Sequence, residues 1–225
     1  MAEIMTKKVA VCFGAFVIFA FLTLIARAQM GGANWTPLPV KFQIHSPCQT
    51  NEASRYWITN GVSHFRTYRN DSAFRAGNTT QPRTEHRFKP DYTKGDIQYQ
   101  AMFLVPANEN SYSIFQIHSG DAQSPRFGST TFMLFWFSKD GGSVHDYAGK
   151  ELAANLGDKW FQLNVEHNVA ARTINVWIDQ KLVWTQKDNG AENFYMKDGV
   201  YAQRHEPTFQ MDTCISNVLM WTRTP

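Results

Sequence analysis

Asp96-Ile-Gln-Tyr-Gln-Ala-Met-Phe-Leu-Val105 is the stretch that decides the fold. Ile97, Tyr99, Ala101, Phe103 and Val105 alternate with polar or longer side chains, so one face of an extended chain is apolar throughout. A helix would scatter the same five residues around its circumference. The pattern recurs outward from it, over Tyr112–His118, Thr130–Phe137, Trp160–Asn168, Phe194–Gln203 and Thr213–Thr222. Thr173–Ile178 and Leu182–Thr185, separated by Asp179-Gln180-Lys181, read as a hairpin. Lys94-Gly95-Asp96, Asp140-Gly141-Gly142 and Asp188-Asn189-Gly190 supply turns between strands. The one hint of helical character is a short turn around Lys150–Asn155. Many short strands and hardly a helix imply an all-β, antiparallel two-sheet sandwich or jelly roll.

Composition agrees. Aromatic residues make up 14% of the 225, which suits pleated surfaces and sugar-binding grooves, and 18% charged residues exclude a disordered polyelectrolyte. Lys7 and Lys8, the apolar run Val9–Ile25 and Ala26-Arg27-Ala28 have the layout of a secretory signal peptide over residues 1–28. An uncleaved signal anchor is the rival reading; cleavage leaves no membrane segment. Residues 29–225 then form a single secreted domain, extracellular, in the cell wall or vacuolar, expected to be a monomer. Loss of Lys7, Lys8, Arg27 and Glu3 lowers the formal net charge of +3 by two, too little for a nucleic-acid partner.

Cys12 lies in the leader, leaving Cys48 and Cys214. An even pair in a secreted chain suggests one disulfide between them, with two buried thiols as the alternative. Asn34, Asn70 and Asn78 each begin an acceptor tripeptide for N-glycosylation.

Three segments place polar groups on one strand face. Arg83-Thr-Glu-His-Arg87 projects Arg83, Glu85 and Arg87 together; Gln116-Ile-His118 projects Gln116 and His118. Tyr195-Met-Lys-Asp-Gly-Val-Tyr-Ala-Gln203 aligns Tyr195, Lys197, Tyr201 and Gln203, with Gly199 leaving room above it for a ligand. Each alone reads more readily as a solvated strand face than as a site. Together they make a polar face suited to a carboxylated sugar. The histidines show no metal-ligand spacing, no G-x-S-x-G nucleophile elbow occurs, and no E-x-D-x-E strand suggests a glycosidase, so no metal or cofactor is expected.

These three segments resemble, in order, the R-T/S-E-x-R, Q-I/V-H and Y-F-K-x-G-x-Y-x-Q signatures of polysaccharide lyase family 7, with Met196 in place of Phe. The resemblance spans roughly Tyr56 to Trp221. It implies a concanavalin-like jelly roll whose concave sheet binds an acidic polysaccharide such as alginate. It also implies cleavage by β-elimination, in which the proton at C5 leaves and the C4 oxygen is expelled. Arg83 or Arg87 with Gln116 would neutralise the uronate carboxylate, and Tyr201 would protonate the leaving oxygen. Either His118 or Tyr201 would be the base. Glu85, Arg87, Tyr195, Lys197 and Gln203 would contact substrate.

Arg55-Tyr56, Gly61-Val-Ser-His64, Pro82-Arg-Thr-Glu85 and Gly199-Val-Tyr-Ala-Gln203 are similar to the plant citrate-binding-protein-like branch of these lyases. Many members of that branch carry an apolar residue where this chain has His118. A binder of citrate or another small polycarboxylate is therefore the second expectation, and a lectin-like wall-binding module the third.

Overall fold

A computed structural model describes residues 34–119, 130–190 and 193–223. The expected leader lies outside the described residues. Among the described residues fifteen strands follow one another: β1 (Thr36–Leu38), β2 (Lys41–His45), β3 (Tyr56–Thr59), β4 (Val62–Tyr68), β5 (Arg83–Lys89), β6 (Asp96–Leu104), β7 (Tyr112–Ser119), β8 (Thr130–Phe137), β9 (Ser143–His145), β10 (Glu151–Ala153), β11 (Trp160–Asn168), β12 (Thr173–Ile178), β13 (Lys181–Lys187), β14 (Phe194–Ala202) and β15 (Gln210–Arg223). They form two antiparallel sheets. One runs β13-β12-β11-β6-β15-β4-β3, with β1 added beside β15; the other runs β10-β9-β8-β7-β14-β5-β2. This is the jelly-roll sandwich read from the alternation.

The apolar faces meet between the sheets, where Phe65, Tyr99, Phe103, Phe115, Phe132, Trp136, Phe161 and Phe194 are buried in one cluster. At roughly 1.5–3 kcal/mol per fully buried large apolar side chain, such a layer is the main force closing the sandwich. Polar contacts also bridge the layer: Thr67 Oγ1 donates to Thr84 Oγ1 at 3.0 Å, and the buried Tyr99 hydroxyl donates to Asp198.

Three expectations need correction. Residues 151–153 form β10 rather than a helical turn, because they pair with β9. The β12–β13 hairpin turns on Asp179 and Gln180 alone, both with positive φ, so Lys181 belongs to the strand. No bond joins Cys48 to Cys214. Cys48 is exposed in the loop after β2 with its Sγ 3.6 Å from Ser72 Oγ, whereas Cys214 lies between β4 and β6 with its Sγ 3.3 Å from His64 Nδ1. Loop and mid-sheet strand give the two sulfurs different neighbourhoods.

Candidate active site

The three polar segments lie on β5, β14 and β7, adjacent in that order in the second sheet. Register fixes which residues meet. Lys197 pairs with Arg87 on one side and Gln116 on the other; Tyr195 pairs with His118, and Tyr201 with Arg83. Met196, Val200, Phe115 and Ile117 occupy the core, so alternation turns Tyr195, Lys197, Tyr201, Gln116 and His118 to the opposite face.

Gly199 sits at a bulge in β14 with φ +128°. A Cβ there would come within 2.4 Å of the Thr84 carbonyl oxygen and 2.9 Å of Phe65 Cδ1. The glycine therefore serves the close approach of β14 to β5, not the ligand space expected from sequence.

Glu85 organises the floor. Its carboxylate accepts from Gln116 Nε2, lies 3.4 Å from Lys197 Nζ and 3.5 Å from Arg83 Nη1, and is 2% exposed. An anionic side chain already holding three donors is a positioning residue, and its charge would repel a uronate carboxylate. Burial, opposed by Glu85 and aided by Arg83, pushes the Lys197 ammonium down to about 8.

The geometry also separates the two arginines that the sequence left as alternatives. Arg87 donates to both carboxylate oxygens of Asp91 and to the Phe88 carbonyl, and lies 3.8 Å over the Tyr195 ring. Three of its five N–H donors are committed. Among the described residues Arg83 has only the long polar contact to Glu85 and its Nε is buried without a partner, while its guanidinium rests 3.9 Å over the Tyr201 ring. Of the two arginines, Arg83 has more hydrogen bonds left to give.

His118 stacks on Tyr195 at 4.7 Å. Burial, with the charges of Lys197, Arg83 and Arg87, pushes it down to about 3 despite a hydrogen bond to Ser119, so the ring is neutral at ordinary pH. Its Nδ1 is 2.8 Å from the Ser119 carbonyl, which can only accept. The proton therefore sits on Nδ1, and Nε2 carries a lone pair. A continuous run of contacts links Tyr201 to His118 through Arg83, Glu85, Lys197 and Tyr195, the last pair joined by Lys197 Nζ lying 5.8 Å from the Tyr195 ring. Gln203 lies just past β14 and donates to the Tyr201 carbonyl at 3.1 Å.

His45 was missed by the sequence reading, which assigned no strand before Arg83. It pairs with Glu85 from β2, stacks on Phe74 at 4.0 Å and has its Nδ1 buried without a partner. Burial and the charges of Lys197, Arg83, Arg87 and Arg75 push it down to about 3. Asp91, the partner of Arg87, was missed as well.

The family model for alginate lyase matches residues 37–220. The chain belongs to this family, polysaccharide lyase family 7. A citrate-binding protein from Hevea brasiliensis is 28% identical over 181 residues, covering 80% of this chain and 73% of that protein. An alginate lyase from Pseudomonas aeruginosa superimposes with a TM-score of 0.62 at 18% identity, over 74% of this chain and 85% of the other. The family 7 alginate lyase A1-II′, solved in complex with substrate, gives 0.59 at 11% identity over 85% and 94%. At these identities the structural likenesses establish the family's jelly roll, while the curated relative is a binding protein by name.

Proposed function

We propose that this protein is a secreted lyase that cleaves a polyuronate of the alginate or glucuronan type by β-elimination. The observation that carries this reading is the pairing of a neutral His118, with Nε2 unprotonated, and Tyr201 along one cation-lined face. Binding a carboxylate needs the cations but neither of these proton-moving groups.

Arg83 and Gln116 hold the uronate carboxylate, and their positive ends take up the enolate-like charge formed when C5 loses its proton. His118 Nε2 accepts that proton. The electron pair forms the C4=C5 double bond, the C4–O4 bond breaks, and the Tyr201 hydroxyl protonates O4. Proton exchange with solvent then restores the phenol and the neutral imidazole. Arg83 over the Tyr201 ring favours the phenolate formed at that moment.

Charge on the floor supports a uronate over a small polycarboxylate. Arg83, Arg87 and Lys197 face Glu85 and Asp91, an excess of one positive charge among these buried and half-buried groups. One carboxylate neutralises it, whereas citrate would bring two more. The binding reading keeps one specific support, the citrate-binding relative. Secretion is supported by the expected leader and by the exposure of all three sequon asparagines, Asn34, Asn70 and Asn78.

The test is incubation with alginate, glucuronan and pectate while following the near-ultraviolet absorbance of the unsaturated product. One of these polymers should give product with the wild type. Absence of product from all three, with measurable citrate affinity, would establish the binding reading instead.

A further inference from the structure

The polar face does not end at Tyr201. A pocket of about 280 Å³ continues from it, lined by Thr79, Thr80, Gln81, Tyr201, Gln203, Arg204 and His205. Arg204 lies outside all three motif segments and is exposed. Its guanidinium has no ion-pair or hydrogen-bond partner among the described residues. That contrasts with Arg55, Arg66, Arg172 and Arg223, each held by a carboxylate at 2.5–3.0 Å.

The loop that presents Arg204 is pinned. Gln203 N donates to Ser111 O and Thr208 N to Asn110 O, both at 3.1 Å. Asn110 Nδ2 donates to Glu206 O, and the Ser111 hydroxyl to His205 O. A fixed loop spares a ligand much of the ordering entropy that a mobile arginine loop would cost.

We propose that this pocket is a second carboxylate subsite, in which Arg204 binds the uronate ring next to the one held by Arg83 and Gln116. The inference rests on the polyuronate reading and names the ligand class of the extended site. Every ring of such a polymer carries a carboxylate, so a chain crossing the Arg83 centre brings a further anion past Tyr201. The floor behind Tyr201 has its cations largely compensated, whereas the pocket ahead offers one that is not. His205 adds ring nitrogens and Thr79, Thr80 and Gln81 add polar groups to the lining, suited to sugar hydroxyls. A monomeric carboxylate seated at Arg83 would gain nothing from Arg204.

Calorimetric titration with mannuronate and saturated tetramannuronate decides the matter, run in parallel with glucuronate and tetraglucuronate. The full mature chain carries Tyr201→Phe, so that turnover during the measurement is slowed by about 10²–10⁴-fold. The tetramer should bind more tightly than the monomer, and Arg204→Ala should weaken tetramer binding by about tenfold or more, the range of one lost charge-assisted contact. Arg204→Lys should retain most of the affinity, and the effect should shrink as salt rises. Lys181→Ala, in the distant β12–β13 hairpin, controls for loss of general positive charge.

Tetramer affinity unchanged by Arg204→Ala would overturn the subsite, as would equal affinity for monomer and tetramer or no binding of any probe. Failure of the lyase reading looks different. It is the absence of unsaturated product from wild type, and length-dependent binding through Arg204 would survive it.

Discussion

Two buried clusters in this molecule use the same residue types to different ends. At the end of the sandwich, Asp188 accepts from His167 Nε2 at 3.0 Å, from Arg172 Nε at 3.0 Å and from Gly190 N at 2.8 Å. His167 Nδ1 is 3.0 Å from the Tyr92 hydroxyl. Each hydrogen-bonding group at the centre of this latch has a partner. In the groove, Glu85 gathers Arg83, Lys197 and Gln116, yet Arg83 Nε and His45 Nδ1 are buried without partners. The His118 Nε2 lone pair is unused as well. A carboxylate, a histidine, a tyrosine and an arginine make a structural latch when their bonds close on one another, and a candidate site when some stay open.

The largest effect expected from this contrast is a crossing of activity and stability. Tyr201→Phe should lower turnover by about 10²–10⁴-fold, the usual range for an acid–base group, with little change in the unfolding midpoint. Asp188→Ala should do the opposite. Removing the carboxylate leaves the buried His167 Nε2 without its acceptor, a cost of about 1–3 kcal/mol, while the half-exposed Arg172 turns to solvent and turnover per folded molecule is kept. Urea unfolding and product absorbance on both variants would erase the distinction if each change lowered both quantities alike.

A smaller effect sharpens the role of Glu85. Glu85→Gln removes the anion that holds Lys197 and Arg83 and leaves the floor one charge more positive. Turnover should fall by about tenfold as the cations shift, whereas citrate should bind more tightly than to wild type. If citrate affinity falls instead, Glu85 contacts the ligand rather than positioning the cations.

The smallest effects are those of pH, and the two clusters separate at opposite ends of the scale. Burial raises the Asp188 carboxyl, but hydrogen bonds from His167, Arg172 and Gly190 outweigh it and hold the group below its ordinary value. A lowered folded pKa stabilises the protein above the unfolded carboxylate range, and that stability is lost as pH falls through the folded value. His118, down at about 3, stays neutral through most of that fall. In the other direction Lys197 loses its proton above about pH 8, so KM should rise several-fold between pH 7 and 9, while the lowered folded value makes this group's contribution to stability rise, not fall, over the same range. Thermal midpoints and kcat and KM across that range check both limbs. A Lys197→Arg variant that keeps the same alkaline rise in KM would assign it to another group.

Much of this was legible in the residues. Period-two alternation from Asp96 to Val105 and in the later segments is a local property, set by which side of an extended backbone each side chain leaves, so the sandwich and the outward faces of three motif strands followed from sequence. The strands before Arg83 lack so regular an apolar face, since Phe42, Ile58 and much of β2 stay exposed, and His45 went unseen with them. Only the tertiary structure assigned the tasks. Arg83 and Arg87 are equivalent in the chain, yet Asp91 takes the donors of one and leaves the other open. Glu85 became the holder of the cations because β14 and β7 bring Lys197 and Gln116 to it. Gly199 proved to answer the pressure of β5, and Cys48 and Cys214 settled in different neighbourhoods. Sequence determined which groups share a face; which of their bonds remain open depends on partners delivered by distant strands, and that is decided only when the sheets close.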